Sequence, residues 1–105
     1  MDFQTRQARL TEERRRLALA AWEHMRAMAA AAGFDLRLFG SLAKGDFMLH
    51  SDLDVMVMDR AGSPRRAIME SIAASAMRGT GIACDLHYRS DLPDAIAEEM
   101  LHAAA

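Results

Sequence analysis

Residues 52 to 88 carry two short alternating segments on either side of one amphipathic segment, and that order allows few folds. Leu53, Val55 and Val57 alternate with Asp52, Asp54, Met56 and Met58, and Ile82, Cys84, Leu86 and Tyr88 alternate with Ala83, Asp85 and His87. Period two is the signature of a strand. Between them, Ser63–Pro64 reads as a helix start, with Ser63 as the cap and Pro64 at the first helical position. Ile68, Ile72 and Ala76, beside Met69, Ala73 and Met77, give this segment an apolar stripe, and Gly79 and Gly81 end it. A strand–helix–strand unit of this size predicts a right-handed parallel crossover within one sheet.

The flanking segments add one strand and two helices. Phe34, Leu36 and Leu38 alternate with Asp35 and Arg37, which predicts a strand over 34–39. Ahead of it, residues 4–32 are rich in Ala, Leu, Arg, Glu and Met, all good helix formers. Leu17, Ala21, Met25, Met28 and Ala32 fall on one helical face, and Gly33 is placed as the stop. Thr11 before Glu12 and Glu13 offers a second start, leaving residues 1–10 as a separate or frayed turn. Ser90–Asp91–Leu92–Pro93 opens a last helix running to about residue 102. No linker, repeat or low-complexity tract interrupts the chain. Its 105 residues therefore predict a single domain, with residues 1–32 as an N-terminal helix and 34–103 as the core.

Bulk properties exclude some functions. The formal net charge is −2 and the sequence pI near 6.0, whereas a protein gripping duplex nucleic acid by its phosphates is usually basic. The lone cysteine, Cys84, rules out an intrachain disulfide and suits a reducing compartment. The opening MDFQTRQARLTEERRR has no apolar core of signal-peptide length, and no stretch reaches the ~18 apolar residues of a membrane span. These features predict a cytoplasmic protein without membrane attachment.

Chemistry concentrates in a few residues. Asp52 and Asp54, at i and i+2, should share a face of one strand. Two carboxylates held together repel, and a divalent cation relieves that repulsion; an all-oxygen site suits Mg²⁺. Asp85 interrupts an apolar segment, where a charge is costly unless paired or bound to metal. If its strand lies beside 52–58, three carboxylates can hold two metals for in-line phosphoryl displacement, with Asp85 as base or second-metal ligand. Gly40–Ser41 ends the first strand, just before a segment that can form one helical turn. Glycine lets the backbone approach a phosphate, Ser41 can donate its hydroxyl, Lys44 offers a cation, and Gly45 closes the turn. Each feature has a plainer reading. An Asp-x-Asp pair can simply face solvent, Gly–Ser can be an ordinary turn, and Lys44 a surface lysine. Cys84 reads as a small packing residue, His87 as a neighbour on Asp85's face, and Arg14–Arg16 as a solvated helix face.

In combination these residues are specific. Gly40-Ser41-Leu42-Ala43-Lys44-Gly45, five further residues, and Ser51-Asp52-Leu53-Asp54 resemble the GSxARG-x5-SDxD signature of the minimal nucleotidyltransferases, in the DNA polymerase β superfamily. Asp85 in CDLHY is similar to that family's third carboxylate. Lys44 departs from the common Arg: the charge is kept and the two-pronged geometry is lost. The resemblance covers roughly residues 34 to 100. It implies an α/β (α+β) domain, with a small mixed sheet of three to four strands packed by helices. It implies transfer of NMP from Mg–NTP, with ATP as donor favoured by family habit, and two Mg²⁺ ions on Asp52, Asp54 and Asp85. Gly40, Ser41, Lys44, Gly45 and Ser51 would then bind the nucleotide. Short members resemble the antitoxins of HEPN toxin–antitoxin pairs, which adenylylate a tyrosine of a HEPN ribonuclease toxin. A HEPN-type partner and a homo- or hetero-oligomer are therefore expected. Occlusion of the partner without chemistry, and transfer to an aminoglycoside-like small molecule, are the competing expectations.

Overall fold

The computed structural model describes residues 2–102; Met1 and residues 103–105, the two ends of the expected domain, lie outside the described residues. The element order is α1 (Phe3–Ala31), β1 (Leu36–Phe39), α2 (Ser41–Lys44), β2 (Leu53–Val57), α3 (Ser63–Met77), β3 (Cys84–Tyr88), a 3-10 turn (Arg89–Asp91) and α4 (Asp94–His102). The three strands form one mixed sheet in the order β1-β2-β3. β1 runs antiparallel to β2, and β3 parallel to β2, as the intervening helix requires. The fold is thus a small α+β domain with a three-stranded sheet packed by helices.

α1 is a single unbroken helix. Asp2 caps it by accepting from the Thr5 amide at 2.7 Å. No second start occurs at Thr11, whose hydroxyl instead donates to the Gln7 carbonyl one turn back. The helix closes in a Schellman motif. The Gly33 amide donates to Ala30 O, and the Phe34 amide to Ala29 O, with Gly33 at φ +86°. That motif consumes residues 33–35, so β1 begins at Leu36 and not at Phe34.

The buried stripe of α1 is Ala18, Ala21, Trp22, Met25 and Ala29. This is a correction by one residue: Leu17 is 49% exposed. Stripes through 17 and 18 fit the helical period equally well. Packing favours the second, which sets alanines against α3's buried Ala73 and Ala76 and places Trp22 in the core. The expected α3 stripe holds except at Ile68, with Ile72 and Met77 packed at its margin. Met69, Ala73 and Ala76 are buried, while Ile68 is 46% exposed. Its cap is Gly62 rather than Ser63, since proline's fixed φ fits anywhere in a first turn. Pro93 holds Leu92 extended, at φ −110° and ψ 144°, so the last helix starts at Asp94 and the residues before it form the 3-10 turn.

Residues paired across the sheet share a face. Leu53, Val55, Val57, Leu36 and Tyr88 point into the core beneath α1 and α3. The opposite face carries Phe39, Asp54, Met56, Asp85 and His87. Met56 and Phe39 are buried there and α4 lies against β1, with Ala97 also buried. The carboxylates stand at the uncovered end of that face.

Candidate active site

Strand direction brings the distant residues together. β1 is antiparallel to β2, so its C-terminal end at Phe39 lies opposite Asp54. β3 is parallel to β2, so its first residues lie beside the same end, with Asp54 directly opposite Asp85. Gly40–Ser41, Asp52, Asp54 and Asp85 therefore meet at one end of the sheet.

The closest relation is between Gly40 and Asp54. Gly40 has φ +77° and ψ −156°, a conformation essentially restricted to glycine. A Cβ on Gly40 would collide with the Asp54 carboxylate oxygen, and would stand 3.0 Å from its Cγ and 3.2 Å from its Cβ. The Gly40 backbone is thus laid against Asp54, for which a side chain leaves no room.

Asp54 is half-buried, and its carboxyl is held above the ordinary value of 3.8. Burial is the main cause; the Asp85 charge adds to it, Asp52 adds less, and His87 partly offsets them. Asp52 lies one residue before β2 and is exposed, so the expected i, i+2 pair on one strand becomes one strand residue and one at its threshold. Asp85 is likewise exposed, correcting the expectation of a costly charge in an apolar segment: β3 is an edge strand, and water reaches its open face. Among the described residues, no three His, Cys, Asp or Glu side chains converge closely enough to hold a metal ion as oriented. The donor set suits a hard cation, since it is all carboxylate and its most buried member is raised by burial and then by the neighbouring Asp85 charge.

α2 is a single turn. Its dipole is correspondingly small, and the groups here able to meet an anion are the Ser41 hydroxyl and the exposed Lys44 more than the helix end. Gly45 closes α2 in the left-handed conformation, its amide donating to Ser41 O at 3.0 Å. Ser51 also serves the backbone. Its hydroxyl accepts from the Met48 amide at 2.9 Å, and its own amide donates to Met48 O at 3.1 Å. It shapes the turn leading into Asp52.

One residue of this neighbourhood escapes a sequence reading. Arg14, expected on a solvated face, donates from its Nη2 to the Ser51 carbonyl at 3.2 Å, and its Nε is buried without a partner among the described residues. It clamps α1 onto the turn before Asp52. Its placement on the same helical side as Ala18 was the available signal. Arg14→Ala is expected to cost about 1 kcal/mol, and to loosen residues 48–52 in amide hydrogen exchange while leaving α3 protected.

Cys84 is half-buried at the start of β3, and its thiol is pushed up to about 12, first by burial and then by the Asp85 and Asp54 charges. It should alkylate with iodoacetamide at pH 8 at least ~10-fold more slowly than a free thiol, and faster in Asp85→Asn. Rapid alkylation of the folded wild type would contradict this environment.

Two other aspartates are structural. Asp59 accepts from the Asp35 amide at 2.7 Å, and Asp91 forms a two-pronged pair with Arg66 at 2.6 and 2.7 Å. Arg66 also stacks on the Tyr88 ring at 4.0 Å, tying α3 to the end of β3. His87 meets Phe39 edge to face, with centroids 5.4 Å apart. Among the described residues, no helix is long and apolar enough to cross a membrane. Comparisons with protein-family models, curated proteins and solved structures return no match.

Proposed function

We propose that the chain is a nucleotidyltransferase that moves NMP from a nucleoside triphosphate to a hydroxyl on a partner protein. The observation that carries the reading is the contact between Gly40 and Asp54. Two motif halves that are distant in sequence meet at one sheet end, and Asp85 is in register beside them.

Asp54 and Asp85, with Asp52 at the rim, are the residues that would hold Mg²⁺. When bound, the ion neutralises triphosphate charge and lowers the pKa of the attacking hydroxyl. The protein's own groups divide the remaining work. The Gly40 backbone leaves space for phosphate oxygens, the Ser41 hydroxyl donates to one, and Lys44 offsets charge on the leaving pyrophosphate. Asp85 faces water and is the group placed to accept the hydroxyl proton. The acceptor oxygen bonds to the α-phosphorus as the α–β bridge breaks, and pyrophosphate departs.

The resemblance favours ATP as donor and a HEPN-type ribonuclease as acceptor, with cytoplasmic antitoxin as the cellular role. The test is transfer of α-labelled NTP to an all-helical ribonuclease partner in Mg²⁺. Label should appear on the partner, and disappear with Asp52→Ala plus Asp54→Ala; transfer that survives this double substitution sinks the proposal. Neutralisation by occlusion is the second reading, favoured by the exposure of Asp52 and Asp85, which water alone can solvate. It expects the triple-Asp variant to neutralise the partner at an equal concentration.

A further inference from the structure

The N-terminal half of α1 extends past the core. Its first buried residue is Ala18; residues 3–17, about 22 Å long at ~1.5 Å per residue, make an arm that rests one side along the 45–51 loop, with Thr11, Glu12, Arg14 and Arg15 half-buried, and leaves the other side open. Phe3, Leu10 and Leu17 recur every seven residues along one side of the arm, 74%, 46% and 49% exposed. Between Phe3, Leu10 and the loop residue Leu49 lies a hollow of about 130 Å³, with Arg6 the only charged residue lining it. A hollow of this size admits one hydrophobic group.

The arm is basic: five arginines stand against three carboxylates over residues 2–17. Two arms would repel each other, which disfavours pairing of the stripe with itself. α4 has the opposite character. It carries Asp94, Glu98 and Glu99 with no lysine or arginine, and Ile96 is 46% exposed on its surface. Ile96 and Glu99, at i and i+3, project side by side. Neither Arg6 nor Glu99 has an ion-pair partner among the described residues.

We propose that the α1 arm docks on α4 of a second copy, with Ile96 of that copy in the Phe3–Leu10–Leu49 hollow and its Glu99 on Arg6. The exchange is reciprocal, so each contact occurs twice and the assembly closes as a two-fold dimer. An interface this small gives a weak dimer, with Kd on the order of 10 µM. The dimer does not depend on the nucleotide chemistry.

Sedimentation equilibrium of the full chain between about 1 µM and 1 mM tests it. Wild type should pass from monomer to dimer. Arg6→Glu and Glu99→Arg should each weaken the dimer about 10-fold, and the two together in one chain should restore it. Both positions are exposed, so melting at low concentration should be unchanged and serves as the folding control. A monomer throughout, a dimer indifferent to both charges, open-ended growth, or an arm that binds a different protein while the chain stays monomeric would each overturn the proposal.

Discussion

Gly40→Ala is expected to lower the melting temperature by about 10 °C and to abolish nucleotidyl transfer. Two costs combine. The backbone at φ +77° and ψ −156° penalises any Cβ by about 1–3 kcal/mol. The new methyl must also displace the Asp54 carboxylate or push β1 from β2. Gly45→Ala separates these costs. Gly45 has φ +87°, but a Cβ there meets nothing within 4 Å, so only a backbone penalty of about 1 kcal/mol applies. Asp54→Gly supplies the second control. It removes the side chain that Gly40 abuts, so Gly40→Ala should cost measurably less in that background. Equal melting points for the Gly40 and Gly45 variants would show that Gly40 does not press on Asp54.

Asp54→Asn is expected to move stability and activity in opposite directions. Asp54 titrates above its unfolded value of 3.8 because burial and the Asp85 charge disfavour its anion. Between those two values the folded state binds more protons than the unfolded one, so stability falls as pH rises through the window. At neutral pH the full cost is present, and at pH below 3.8 it is absent. Asparagine removes the charge. In a chelator-treated sample at pH 7 the variant should melt higher by a small amount, on the order of 2 °C after solvent screening, with the gain vanishing in acid. Transfer should fall at least ~10³-fold, and Mg²⁺ should stabilise the wild type but not the variant. A metal-free variant that melts lower than wild type at pH 7 would remove the electrostatic basis for reading Asp54 as a cation ligand.

Sequence is informative where a single residue type is forced, and less so where several residues satisfy the same period. All three strands and the three long helices are legible, because alternation and helical stripes differ sharply in period; α2 reads only as a turn able to hold one helical turn. The stripe expected on α1 holds at Ala21 and Met25, and at the margin at Met28 and Ala32, but fails at Leu17, since Leu17 and Ala18 fit the helical period equally and only packing decides between them. Spacing ties Gly40 to Asp54, but the physical link, a backbone without room for a side chain, needs the strand register. Ser51 reads as nucleotide-binding, and its part in shaping the turn, by accepting from the Met48 amide, shows only in the structure. Arg14 is hidden for a related reason: its place one turn before Ala18 hints that it faces inward, but nothing local shows that a carbonyl 37 positions away will meet it.

The mixed sheet also sets an order of assembly. Gly40, just past the end of β1, and Asp54, on the antiparallel neighbour β2, are joined through residues 41–53 with α2 among them, a nearer closure than the one that brings in Asp85. Asp85 arrives by a parallel crossover that must first wind α3 and fold back, a less local and slower step. During synthesis, the glycine–aspartate half can form once residue 57 has left the ribosome, well before the third carboxylate exists. A nascent chain would then carry a recognisable but incomplete pocket, which gains its third carboxylate only when its last strand docks at the sheet's edge.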